Sequence, residues 1–93
     1  MADFEWDEAK RRRVLIERGI DFERAKEIWQ GTVFEVPSRK QTNEKRFLAI
    51  GEVDGRVITV IYTWRGERRR LITARRARRH EAEDYDTAVG RDP

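Results

Sequence analysis

Hydrophobic residues follow two different rhythms along this chain. Through the first third they recur at helical spacing, and from Thr32 onward they alternate with polar residues, so helices should precede strands. Phe4 and Trp6 flank Glu5 and suit a short opening strand. Asp7 is placed to cap a helix running to Arg18, where Gly19 supplies a left-handed stop. Asp21 caps a second helix that gathers Phe22, Ala25, Ile28 and Trp29 on one side and ends at Gly31, with Phe22, Ala25 and Trp29 expected in the core.

Val33 to Val36 alternate up to Pro37, and a polar loop follows over 38–44. Segments 46–53 and 56–64 flank Asp54-Gly55, a pair suited to the positive backbone angles of a type I′ hairpin. That turn would set Leu48 opposite Ile61, Ile50 opposite Thr59, Phe47 opposite Tyr62 and Ala49 opposite Val60. A turn at Arg65-Gly66-Glu67 leads to a last strand over 68–74. Strict alternation there groups Arg68 and Arg70 with Ile72 and Ala74, and Arg69 with Leu71, Thr73 and Arg75. A third helix is expected over 75–88, pairing Arg75 with Arg79 and Arg76 with His80 at four-residue spacing. The expected fold is α+β: a twisted antiparallel sheet of four to five strands with two N-terminal helices and one C-terminal helix. It forms a single domain over 1–89, followed by a frayed tail over 90–93.

Composition adds a constraint on partners. With 93 residues, 42% charged and 38% hydrophobic, the chain can bury one small core. Its 21 basic and 18 acidic side chains nearly balance, but not locally. Residues 1–27 carry eight acids against seven bases, whereas 65–80 carry eight arginines against the single acid Glu67. Arginine stays protonated and presents a flat fork of donors, so such a cluster points to phosphate, with a merely solvated charged face as the alternative. The absence of cysteine excludes disulfides, thiolate zinc sites and a cysteine nucleophile, and one histidine cannot make a histidine-rich metal centre. No metal and no cofactor is expected. The N-terminus lacks the layout of a secretory signal and the apolar run around 57–64 is too short to cross a bilayer, so a cytoplasmic protein without membrane contact is expected.

Several side chains could carry chemistry. His80 is the one group whose ordinary pKa lies near neutrality, which makes it a proton-transfer candidate or an ordinary surface residue. Glu44 with Arg46 could activate a ribose 2′-hydroxyl and neutralise the phosphorane, or form an ion pair at a strand edge. Trp64 and Tyr85, at element ends, could stack unpaired bases, while Tyr62 suits the core.

Trp6-Asp7-Glu8-Ala9-Lys10, Gly19-Ile20-Asp21-Phe22 with Ala25 and Trp29, Glu44-Lys45-Arg46, Gly51, Gly55-Arg56, Tyr62-Thr63-Trp64-Arg65 and the run from Arg70 to Ala77 (RLITARRA) form an ordered set over about 4–85. This set resembles the BrnT toxins of bacterial type II toxin–antitoxin modules. The resemblance implies a RelE-like fold and a metal-independent endoribonuclease that cleaves mRNA and stops translation. It implies as partner a BrnA-like ribbon-helix-helix antitoxin, with operator DNA reached only through that antitoxin. Lys10, Glu44, Arg46, Arg65, Arg70, Arg75 and Arg76 match family motif positions, and Tyr85 a common aromatic. The candidate catalytic set is therefore Glu44, Arg46, Arg70, Arg75 and His80, and the candidate RNA contacts are Lys10, Arg65, Arg68, Arg76, Arg79, Trp64 and Tyr85. A non-catalytic relative that binds RNA or antitoxin through the same surface is the alternative. The chain departs from the family where asparagine and Lys-His-Gly usually close the first helix: it has Val14 and Glu17-Arg18-Gly19, so Arg18 replaces the histidine.

Overall fold

The structure, a computed structural model, describes residues 3–40 and 42–91. Asp3–Trp6 forms β1, Glu8–Arg18 α1, and Phe22–Ala25 α2, which continues as a 3₁₀ turn over Lys26–Gln30. Phe34–Pro37 is β2, Phe47–Val53 β3, Arg56–Arg65 β4, Arg68–Arg76 β5 and Arg79–Ala88 α3.

Short-range chemistry sets most of these boundaries. Asp7 accepts the Ala9 amide at 3.1 Å, and Gly19 ends α1 with φ of 68°. Asp21 accepts the Glu23 amide at 3.0 Å and the Arg11 guanidinium at 2.9 Å, which fastens the start of α2 to α1. Asp54 and Gly55 take φ of 53° and 75°, as the type I′ turn requires. Arg24 on α2 holds that turn by donating to both Asp54 carboxylate oxygens, at 2.6 and 3.1 Å. All four expected pairings of the hairpin are present, from Phe47 with Tyr62 to Ile50 with Thr59.

The five strands are ordered β1-β5-β4-β3-β2. β2 to β5 are antiparallel, but β1 joins β5 in parallel, so the sheet is mixed where an antiparallel one was expected. α1, α2 and the 3₁₀ turn cover one face, packing Val14, Ile20, Phe22, Ala25 and Ile28 against Ala49, Ile58, Val60, Tyr62, Leu71 and Ala74. α3 crosses the other face against β2, β3 and β4 and leaves much of it open.

Two expectations about the arginine-rich segment are corrected. Ile61 pairs with Thr73 while Tyr62 pairs with Leu71, so Ile72 is an extra residue in β5 and makes a bulge. Leu71 and Ala74 are consequently both buried against the helices, and Arg70 and Arg75, opposite Thr63 and Thr59, both fall on the open face. Strict alternation had separated them. The third helix also starts later than expected, because the ladder to β4 claims Arg75 and Arg76 for β5 and the Ala77 amide still donates to the Val57 carbonyl at 3.1 Å. The helical rows Arg75–Arg79 and Arg76–His80 therefore do not form. At the chain end Arg91 donates to Glu52 at 2.7 Å; Asp92 and Pro93 lie outside the described residues.

Gly51 is where the 3₁₀ turn meets the sheet. A methyl group there would stand 2.7 Å from Ile28 Cβ, closer than carbon atoms pack. Gly51→Ala should therefore lower stability by about 1–3 kcal/mol, read as an earlier urea midpoint with an unchanged slope.

Candidate functional site

The open face of the sheet, the loop after β2 and the start of α3 enclose a groove of about 930 Å³. Its floor is apolar, made by Phe34 and Val36 of β2, Leu48 and Ile50 of β3, Ile61 of β4 and Ile72 of β5. Its walls are basic: Arg39, Lys40, Arg46, Arg75, Arg78 and His80 line it, with Glu81 and Asp84 as its acids. The period-two pattern of the strands builds the floor, and the bulge at Ile72 turns Arg75 toward it.

Glu81 organises one wall. It is buried, with 4% of the residue exposed, yet accepts from Arg75 Nη1 and Nη2 at 2.7 and 2.9 Å, from Thr59 Oγ1 at 2.9 Å and from the Arg78 amide at 2.7 Å. Three elements meet on this carboxylate: β4, β5 and the first turn of α3. Glu81 is the third helical residue, so it also offsets the unfavourable cations Arg78 and Arg79 at the positive end of the helix dipole. The Arg75 guanidinium foremost, then the Arg78 amide and the Thr59 hydroxyl, hold Glu81 down at about 2 against the upward push of burial.

The far wall differs in kind. Arg46 immediately precedes β3, with its Nε buried and without a hydrogen-bond partner, and its Nη2 stands 3.6 Å from Glu44. Register puts Thr63 beside it, and then Arg70, which pairs with Glu5 at 2.8 Å. Glu44 itself is exposed and lines a smaller adjoining hollow of about 500 Å³ between the 38–45 loop and Phe47.

Of the catalytic candidates, Arg46, Arg75 and His80 share the groove, Arg70 lies on the same face beyond its lining, and Glu44 stands at its border. The RNA-contact candidates are dispersed. Arg65 and Arg68 face each other at the tip of the β4–β5 hairpin, and Arg79 is exposed on α3 beside Glu83. Lys10 on α1 belongs to the helix layer, and Arg76, opposite Ile58, and Trp64, opposite Arg69, point to that same side of the sheet. Tyr85 is corrected: it is buried between α3 and the sheet, 4% exposed, and offers no face for a base. Tyr62 is core, and burial together with its hydrogen bond to Glu35 pushes its hydroxyl up to about 12. Arg18 reaches from α1 past the end of β1 to Thr73 Oγ1 and the Ala74 carbonyl, at 3.1 and 3.0 Å, so the residue that departs from the family pattern buttresses a strand of the groove.

Arg39, Lys40, Thr59 and Glu81 belong to the candidate site but were passed over by the sequence reading. Glu81 was hidden because Arg75, six residues earlier, was assigned to the same helix, where a bidentate contact at that spacing cannot form. Among the described residues no group of three His, Asp or Glu side chains could hold a metal ion, and no helix is long and apolar enough to cross a membrane.

The Glu81 pKa lies below its unfolded value of about 4.5, so its stabilising effect is complete above that pH and disappears as pH falls toward 2. Measured by urea unfolding, Glu81→Gln should be less stable than the parent by on the order of 3 kcal/mol at neutral pH. The difference should shrink steadily from pH 4.5 downward.

Residues 6–81 match the profile of a family described as "Ribonuclease toxin, BrnT, of type II toxin-antitoxin system". The fold is similar to that in the 1.1 Å crystal structure of the Brucella abortus ribonuclease toxin, BrnT. That match has 28% sequence identity and a TM-score of 0.62, and covers 85% of this chain and 100% of that one. No curated protein sequence matches the chain. The profile runs from β1's last residue to the Glu81 clamp, taking in β2 to β5 and most of the groove lining, and the chain belongs to the BrnT family of type II toxin–antitoxin ribonuclease toxins.

Proposed function

We propose that this chain is a metal-independent endoribonuclease that cleaves mRNA in the cytoplasm, inhibits translation, and is neutralised by a BrnA-like ribbon-helix-helix antitoxin through which alone it reaches operator DNA. The observation that carries this reading is the convergence of Arg46, Arg75, Arg78 and His80 on one groove. In the reaction the ribose 2′-oxygen attacks the adjacent phosphorus as its proton leaves to a base, and the P–O5′ bond breaks as that oxygen takes up a proton. Charge accumulates on the phosphorane oxygens, and fixed arginine donors stabilise it without reorganising. Arg46 lines the groove, and Arg75 is held rigid by Glu81. Glu81 cannot be the base: its oxygens are engaged by four donors and it resists protonation down to about pH 2. With Glu81 engaged, His80 and Asp84 are the remaining candidate bases that line the groove, and Glu44 stands next to Arg46 at its border.

The apolar floor favours a second reading, in which the groove receives apolar side chains of an acidic antitoxin segment, or binds RNA without cutting it. A labelled transcript incubated with the purified chain and a chelator separates the two. Cleavage is expected, and Arg46→Ala should slow it by about a hundredfold without shifting the unfolding midpoint. Arg75→Ala is a poorer probe because it leaves Glu81 buried and unpaired; Arg75→Lys keeps the charge and should slow cleavage by losing the bidentate geometry. RNA bound with a steep salt dependence but left intact would select the binding-only reading.

A further inference from the structure

The face of the sheet opposite the groove carries an aromatic stack at its open end. The Arg69 guanidinium lies 4.6 Å from the ring centre of Trp29 and 4.6 Å from that of Trp64, with Tyr62 edge-on to both indoles. Arg69 makes no ion pair among the described residues and lies instead over the aromatic rings. Trp64 is the outer member of the stack: one side of its indole rests on Arg69, and 43% of the residue is exposed. An exposed indole backed by a rigid cation is a ready surface for a planar ring.

The surroundings say which ring. Trp64 adjoins the β4–β5 hairpin tip, where Arg65 and Arg68 stand directly opposite each other; Asp3 lies 4.0 Å from Arg68, and a phosphate at the tip would further relieve the like-charged pair. Lys45 is exposed beside it, its carbonyl held by Thr63 Oγ1 at 2.7 Å. Thr63 belongs to the groove face with Arg46 and Arg70, and the next residue is Trp64 on the other face. A chain of phosphates leaving the groove past Arg70, which is paired with Glu5, therefore meets Arg65 and Arg68 at the tip and then reaches Trp64.

We propose that Trp64, seated on Arg69, is a second base-binding platform that stacks a nucleotide of single-stranded RNA after the strand has left the groove and turned around the β4–β5 hairpin tip. This rests on the proposed RNA-cleaving function and gives that function an extended footprint rather than a pocket for one scissile step. Every base has a stacking face, so the platform adds affinity with little sequence preference.

The test uses two oligoribonucleotides carrying 2′-O-methyl groups, which cannot be cleaved by 2′-attack: one just long enough to fill the groove and one several nucleotides longer. Binding is read by fluorescence anisotropy. Trp64→Ala should weaken the longer ligand by about tenfold and leave the short one unchanged, while Trp64→Phe keeps most of the affinity. Arg65→Glu, exposed at the tip and without consequence for packing, should also weaken only the longer ligand. Unchanged binding of the longer ligand, equal loss on both, or a loss confined to the complex with the antitoxin would each overturn the platform while leaving the groove reading standing. Failure of the parent chain to bind either ligand would reject the RNA reading itself, and the platform with it.

Discussion

A carboxylate taken out of water must find enough hydrogen bonds to offset its lost hydration, and Glu81 finds four. Two come from Arg75 on β5, one from Thr59 on β4 and one from the backbone that opens α3. No pairing of hydrophobic surfaces could make α3 cross the sheet at so defined a place, because its own sequence, RHEAEDYDTA, is mostly polar. The buried residues of α3 are Glu81 and Tyr85, and the first of these is the specific one. The groove exists because the helix is fastened at one end of the open face and leaves the rest uncovered.

That clamp depends in turn on an irregularity in β5. Without the extra residue at Ile72, alternation would turn Arg75 toward the α1–α2 layer, away from Glu81 and Thr59. With it, Leu71 and Ala74 fill the core on one side, and Arg70 and Arg75 serve the other. A single inserted residue thus converts one strand from a simple amphipathic ribbon into a carrier of core and site at once.

Charge is distributed with the same economy. Most arginines near the core have partners: Arg11 with Asp21, Arg24 with Asp54, Arg70 with Glu5 and Arg75 with Glu81. Arg69 instead lies among aromatic rings, and Arg46 lines the groove beside Glu44. The cations of 65–80 are therefore not one patch. They divide between two faces of the sheet and the hairpin edge that joins them.

Much of this was legible in the residues. Asp7, Asp21, Gly19 and Asp54-Gly55 act through contacts a few residues long, so the helix starts, the helix stop and the β3–β4 register followed from local chemistry alone, and the ordered motifs carried the family. The concentration of positive charge in 65–80 was equally plain. What the sequence could not settle were effects of partners distant along the chain. The parallel docking of β1, the bulge at Ile72, the claim of β4 on Arg75 and Arg76, the burial of Tyr85 and the role of Glu81 each arise from non-local pairing that overrides local spacing. The sequence determined that arginines would crowd one segment; which arginines share a face was decided only when the sheet closed, because one extra residue in a strand reverses the side of every residue beyond it.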